Sequence, residues 1–313
     1  MKTAVLLISR SVVTVLPLTA AVAYASWNLS ADADGRLAGW RKADAELHTA
    51  GVSLRKTFAD AKGDRFTAFT LIEAEHNASS VMAHEMYGRY KGPMGVWNAT
   101  VGRFTLPFGL LVNFSTTRLL YRSLDVHTLG MDVDNGLQVS GTSWILDYAA
   151  AVTQGYGPHR ALDVKGKGLA VGRVGVTLGE AEESVVGISG AYGRTATGHG
   201  GMDSTARRVL AGADATLYRG RAVIRGEIDG GKIEGRGFAA VFCAVDFGLL
   251  PRLDLTVAGS FVRHGRVRAD ETFIGLAVRP TWFTIRGGYR YAYDGTDNHE
   301  VALQLYRLFS WYF

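Results

Sequence analysis

The chain has 313 residues, with 39 glycines, 6 prolines, one cysteine, 47% hydrophobic residues and a formal net charge of +5. That glycine content is nearly twice the roughly 22 of average usage, and with so little proline it excludes a disordered Pro/Gly chain. The lone Cys243 excludes an internal disulfide, a Cys-based zinc site and a Cys-x-x-Cys-His haem attachment, and past the N-terminus no apolar run reaches the ~18–20 residues of a membrane helix.

In chain order the first element is a leader. Lys2 precedes apolar runs at Ala4–Ile8 and Val12–Val22, and Ala23-Tyr24-Ala25 is a small-x-small cleavage pattern. This reads as a signal peptide over 1–25, interrupted only by Arg10, and implies export through the Sec pathway. Its removal takes away Lys2 and Arg10 and lowers the net charge by two. The remaining bias is too weak to argue for nucleic acid as a partner.

From Ser26 to Phe313 no linker or charge block interrupts the chain, which reads as one domain over 26–313. Short segments alternate apolar and polar residues with a period of two. Trp282–Tyr293 is the clearest: Phe283, Ile285, Tyr289, Tyr291 and Tyr293 oppose Thr284, Arg286 and Arg290, and a strand sends the two sets to opposite faces. Trp144–Val152, Arg221–Asp229 and Arg252–His264 repeat the pattern. The predicted strands are 27–38, 44–58, 65–76, 81–91, 94–103, 129–141, 144–154, 167–178, 184–195, 207–218, 221–230, 236–249, 252–263, 267–279, 282–293 and 299–313. Every second connection is short, while 104–128, 155–166 and 196–206 are longer.

The fold class expected is all-β, a transmembrane antiparallel β-barrel of about 16 strands with a long third outer loop. A soluble sandwich is disfavoured by the ending Leu308-Phe309-Ser310-Trp311-Tyr312-Phe313, because termini are usually solvated. A C-terminal Phe313 with Trp311 and Phe309 on its parity resembles the signature that the barrel-assembly machinery of Gram-negative outer membranes reads. The same parity would put Arg307 in lipid at about 2–4 kcal/mol near mid-membrane, so a bulge turning it inward is expected.

Gly102-Arg103-Phe104-Thr105-Leu106-Pro107-Phe108-Gly109-Leu110 resembles the G-R-x-x-x-P-F-G stretch of the phosphate-selective and related porins. Gly136–Gly141, Tyr148 through Gln154-Gly155, and Ala302-Leu303-Gln304-Leu305 fit the same family, over roughly 85–313. The resemblance implies a passive outer-membrane channel for small polar solutes, narrowed by the 104–128 loop, with lipid around it and a homotrimer as one assembly. The candidate pore-lining residues are Arg103, Arg118, Arg122, Arg173, Arg225, Glu227, Arg286 and Arg290, and inward parity adds Arg55 and Arg89. These arginines admit two readings: rings that favour anions, or a mixed-charge network that rigidifies the lumen.

Two other functions stay open. A barrel can sheathe a periplasmic partner such as a multihaem cytochrome, in which case the bore would be empty. A barrel enzyme would need a Ser/His/acid cluster near the rim, such as Ser260 with His264 or His299, which nothing singles out, so no enzyme is expected. The eight histidines show no His-x-x-x-His spacing, so neither a metal nor a cofactor is expected.

Overall fold

The computed structural model describes residues 24–39, 43–61, 63–112, 120–122, 124–157, 168–179, 184–196 and 205–313. The leader assigned to 1–25 falls almost wholly outside them, and Arg118 falls outside as well. Sixteen strands run β1 (Tyr24–Gly39), β2 (Ala43–Asp60), β3 (Gly63–Glu75), β4 (Ser80–Lys91), β5 (Asn98–Thr105), β6 (Val133–Ser143), β7 (Leu146–Thr153), β8 (Gly168–Leu178), β9 (Ser184–Ala196), β10 (Thr205–Arg219), β11 (Ala222–Ile233), β12 (Arg236–Leu250), β13 (Leu253–His264), β14 (Val267–Val278), β15 (Thr284–Tyr293) and β16 (Asp297–Tyr312). Each pairs antiparallel with its sequence neighbours, and β16 returns to β1 to close the barrel. At the seam, Trp27 and Phe313 exchange two backbone hydrogen bonds of 3.0 and 2.9 Å. Closure satisfies every ladder and leaves no edge, the condition under which strands can cross lipid.

The faces follow the period of two. On β16, Val301, Leu303 and Leu305 are exposed while Ala302, Gln304 and Tyr306 are buried. Val152, Ile188 and Ile228 stand 65%, 67% and 61% exposed on the outer surface. Large aliphatic side chains facing outward all round a barrel are untenable in water and belong in hydrocarbon. At the short-turn end an aromatic belt adds Trp27, Phe58, Phe309 and Trp311, with the Lys56 ammonium 4.3 Å over the Trp27 ring. At the other end Tyr289 and Tyr291 cluster around His299.

Three boundaries differ from the expectation, each for a local reason. Pro93–Gly95 form a 3-10 turn with Met94 at φ 52°, so β5 begins at Asn98 instead of Met94. Trp144, expected to open a strand, sits in the β6–β7 turn at φ 55° and is 90% exposed. Helix α1 (Asp125–Thr128) and the turn after it delay β6 to Val133.

Arg307 departs from the expectation in a different way. The β16 register runs unbroken past it against β1 and unbroken up to Tyr306 against β15, so no bulge turns it inward. It stays on the outer parity, with its guanidinium 4.0 Å over the Phe309 ring and 5.9 Å from that of Trp282. Its height explains why this is tolerated. Tyr306 pairs with Thr284, the first residue of β15, so Arg307 lies level with the β14–β15 turn and inside the aromatic belt. There the penalty of a lipid-side arginine falls to about 0–1 kcal/mol.

Candidate functional site

Between β5 and β6 the described residues 106–112, 120–122 and 124–132 lie inside the bore. In a ring of sixteen, β5 and β6 stand opposite β13 and β14. The loop reaches that far wall. Gly109 N donates to Ser189 Oγ on β9 at 2.9 Å, Leu110 N to Glu227 Oε2 on β11 at 3.1 Å, and Arg122 N to Glu271 Oε1 on β14 at 2.9 Å. The Tyr121 ring lies 6.0 Å from Phe242 on β12 and 5.5 Å from Phe273 on β14. Around these anchors Leu106, Phe108, Leu110, Leu124 and Leu129 are buried against Leu169, Val171, Leu210 and Phe242 of the inner wall. A core has therefore formed inside the barrel, where inward residues of a wide bore would otherwise be polar.

Gly109 is needed at the closest approach. Its φ is +53°, and a Cβ there would lie 1.9 Å from Glu227 Oε1. At the loop's end, Arg208 on β10 donates Nε to Thr195 Oγ1 at 2.7 Å and Nη1 to the Thr128 carbonyl. Asp132 is held by His84 of β4, whose Nε2 lies 3.2 Å from its carboxylate. Burial alone would raise the Asp132 pKa, but the hydrogen bond and charge of His84 carry it below the usual carboxylate range. Burial raises the Tyr121 phenol, and burial together with the Arg122 charge lowers His127. Asp134 on β6 accepts Tyr156 N and Gly157 N at 3.3 and 3.2 Å and ties the neighbouring connection to the same rim.

The charged residues predicted for the pore divide into several groups. Arg173 lies flat against the wall, donating Nε and Nη2 to Asp214 at 2.9 and 2.6 Å and Nη1 to Asp147 at 2.7 Å. Its side chain is 1% exposed, in space that Gly187 leaves free: a Cβ there would be 2.4 Å from its Nη2. Arg225 pairs with Asp246, and Arg290 with Glu300 at 2.5 Å and more distantly with Glu271. Glu227 is buried under the loop. Arg286 donates Nη1 to Gln304 at 2.8 Å on the inner face. The Arg122 side chain is exposed on the loop. Arg103 must be reassigned. Its register partners are Met86 and Asn135, on the parity of the outward Val101 and Leu137, and its Nη1 turns to the Ala83 carbonyl at the β4 bulge. Of these inward arginines Arg173, Arg225 and Arg290 are committed to carboxylates, the arrangement that the network reading describes.

Two arginines differ. Arg55 on β2 lies 5.2 Å over the Phe69 ring, and Arg89 on β4 lies 4.9 Å over Tyr87 and donates to Thr100 Oγ1 at 3.2 Å. Among the described residues neither has a carboxylate within ion-pair distance. They sit in the sector that the described part of the loop leaves uncovered. Inward Leu169, Val171, Leu210, Phe238 and Phe242 are buried, whereas Phe69, Tyr87, Arg89 and Arg286 keep partial exposure and Arg55 is exposed.

The serine and histidines considered for an enzyme do not converge. Ser260 faces inward, and His264, four residues on, is about 13 Å along the strand. His299 shares the outward parity of Val301 and hydrogen-bonds Tyr289.

No protein-family model matches the chain, and no curated protein matches its sequence. Solved structures do. The anion-selective porin from Comamonas acidovorans superposes with a TM-score of 0.64 at 12% identity, covering 92% of this chain and 100% of that one. A loop-L8 deletion mutant of OmpT, an outer membrane protein of Vibrio cholerae, gives 0.69 at 13% identity, covering 91% and 99%. The outer membrane channel DcaP of Acinetobacter baumannii gives 0.61 at 11% identity, covering 91% and 96%. A trimer form of in-vitro folded OmpT from Vibrio cholerae gives 0.69 at 10% identity, covering 91% and 99%. At such identities the likeness is one of fold, and the fold of this chain is the closed 16-strand antiparallel barrel of the outer-membrane porins.

Proposed function

We propose that the protein is a passive outer-membrane channel for small polar solutes, exported by the Sec pathway, with no catalytic step. The observation that carries this reading is the crossing loop. Its described part packs against the inner wall at β8–β12, while inward Arg55 on β2, Arg89 on β4 and Arg286 on β15 keep exposure and Arg122 is exposed on the loop, the lining expected of a polar passage. An empty bore would have suited a sheath around a cytochrome; a bore half filled by its own chain supports the pore. Arg55 and Arg89, which among the described residues have no carboxylate within ion-pair distance, would attract anions in a bore walled by low-dielectric protein, so small anions are the favoured solutes.

The test is reversal potential across a planar bilayer holding the refolded chain in a salt gradient. The pair Arg55→Glu and Arg89→Glu is expected to shift it from anion towards cation preference. No conductance in the unsubstituted protein sinks the channel, and an unchanged reversal potential in the variant sinks the assignment of selectivity to these two residues. Homotrimeric assembly belongs to the same reading. It is supported by the trimer form of one similar structure and by a shallow outward depression at Ala150, Ala170, Gly172 and Gly190 that would admit a second barrel.

A further inference from the structure

At the rim that carries the long connections, β2 and the β3–β4 turn meet in a cluster used neither by the pore nor by the loop. The β1–β2 register slips by one residue between Asp34 and Gly35, leaving His48 as the extra residue of a bulge. Below the bulge the inward residues are Thr49 and Gly51; above it Glu46 takes the inward position opposite Arg36. The bulge thereby brings His48 beside Glu46, with Nδ1 3.1 Å from Oε1. The third member comes from 28 residues further on: His76 Nδ1 lies 3.7 Å from the other Glu46 oxygen, and its ring meets that of His48 edge-on at 5.6 Å.

The turn that delivers His76 is held in place. His76 N donates to the His48 carbonyl at 3.0 Å and Asn77 N to the Leu47 carbonyl at 2.8 Å, while Asn77 Oδ1 accepts Leu47 N at 2.7 Å. His76, Asn77 and Ala78 all have φ between 49 and 61°, a run that L side chains rarely adopt. The ring is therefore presented to Glu46 by a backbone shaped for it.

We propose that Glu46, His48 and His76 form a binding site for one divalent transition-metal ion of the zinc class. The three ligand atoms lie within 4.8 Å of one another. Ligand atoms of a tetrahedral site with bonds of 2.0–2.1 Å stand about 3.3 Å apart, so closure needs only small side-chain rotations. Two imidazoles and one carboxylate suit zinc, cobalt, nickel or copper over calcium or magnesium. Three protein ligands leave at least one position open to water at the exposed rim. Arg36 of β1, opposite Glu46 in the register, has its guanidinium engaged by Asp34 at 2.9 Å.

The experiment titrates the full refolded chain in detergent with Co(II), reading visible absorption, and then displaces it with Zn(II). One equivalent of Co(II) is expected to bind and be displaced, with Zn(II) raising the unfolding temperature. The variants His76→Gln and Glu46→Gln are expected to lose affinity by about a hundredfold, the upper end of what even supporting partners of a metal site cost. His264→Gln serves as a control that keeps it. All variants are checked for folding by heat-modifiable gel migration. Absence of stoichiometric Co(II) binding overturns the proposal, as does binding that survives in folded His76→Gln.

Discussion

Arg173 shows most plainly what one inward charge does in this barrel. Its guanidinium meets two carboxylates on two other strands, and both it and Asp214 are 1% exposed. Taking a charge from such a pair leaves the other buried without compensation, which costs about 3–5 kcal/mol, whereas the same change in an exposed pair costs about 1 kcal/mol or less. Arg173→Ala is therefore expected to lower the unfolding midpoint in urea far more than Arg268→Ala, whose partner Asp270 lies at the exposed rim. Equal midpoints would show that the Arg173 network is not structural. Parity alone identified Arg173, Arg225, Arg286 and Arg290 as inward. It could not say which were neutralised, because Asp147, Asp214 and Asp246 come from other strands and the cross-barrel register decides who meets whom. Arg103 was misplaced by its motif: the residue next to the loop belongs to the outer parity of β5.

At the scale of elements, the described part of the loop between β5 and β6 behaves as a folded insert with its own core. Its length and its apolar residues were legible, and so was the likeness to porin loops that turn inward. Its contacts with Ser189, Glu227, Glu271 and Arg208 were not, since those residues look like ordinary inward polar positions. The loop also carries a titratable weak point. His127 is shifted below its ordinary value by burial and by Arg122, so the folded state binds its proton less readily than the unfolded loop does. Its stabilising contribution is complete above about pH 6.5 and declines as the pH falls below that value. Limited proteolysis of the refolded protein is expected to reach the loop more readily as pH falls from about 6.5 to 5. In His127→Gln that pH dependence should flatten; the same slope in wild type and variant would assign the effect to another group.

For the whole molecule, closure is the decisive event. Twelve residue pairs from Asn28↔Tyr312 to Gly39↔Val301 join the first strand to the last, and Phe313 adds the final pair of backbone bonds to Trp27. Removing Phe313 alone subtracts little from so long a seam. In vesicles the truncated chain is expected to refold nearly as well as the intact one, while in cells its outer-membrane level should fall sharply if assembly machinery reads that terminus. Equal losses in both settings would mean that Phe313 acts through the seam itself.

The sequence by itself determined the strands, their approximate number and their inner and outer faces, because a period of two and the turn residues between segments are local properties written in neighbouring side chains. It also determined that one connection would be exceptional, since 104–128 breaks the period over a length no hairpin requires. Only the tertiary structure decided that this connection crosses to the opposite wall, that Arg307 rests in the aromatic belt instead of turning inward, that Arg55 and Arg89 line the uncovered sector, and that His76 stands against Glu46 and His48. Each depends on the stagger with which sixteen strands close and on a one-residue slip at a bulge. Closure is a property of the ring as a whole, and no local segment encodes the distance between residues that it alone brings together.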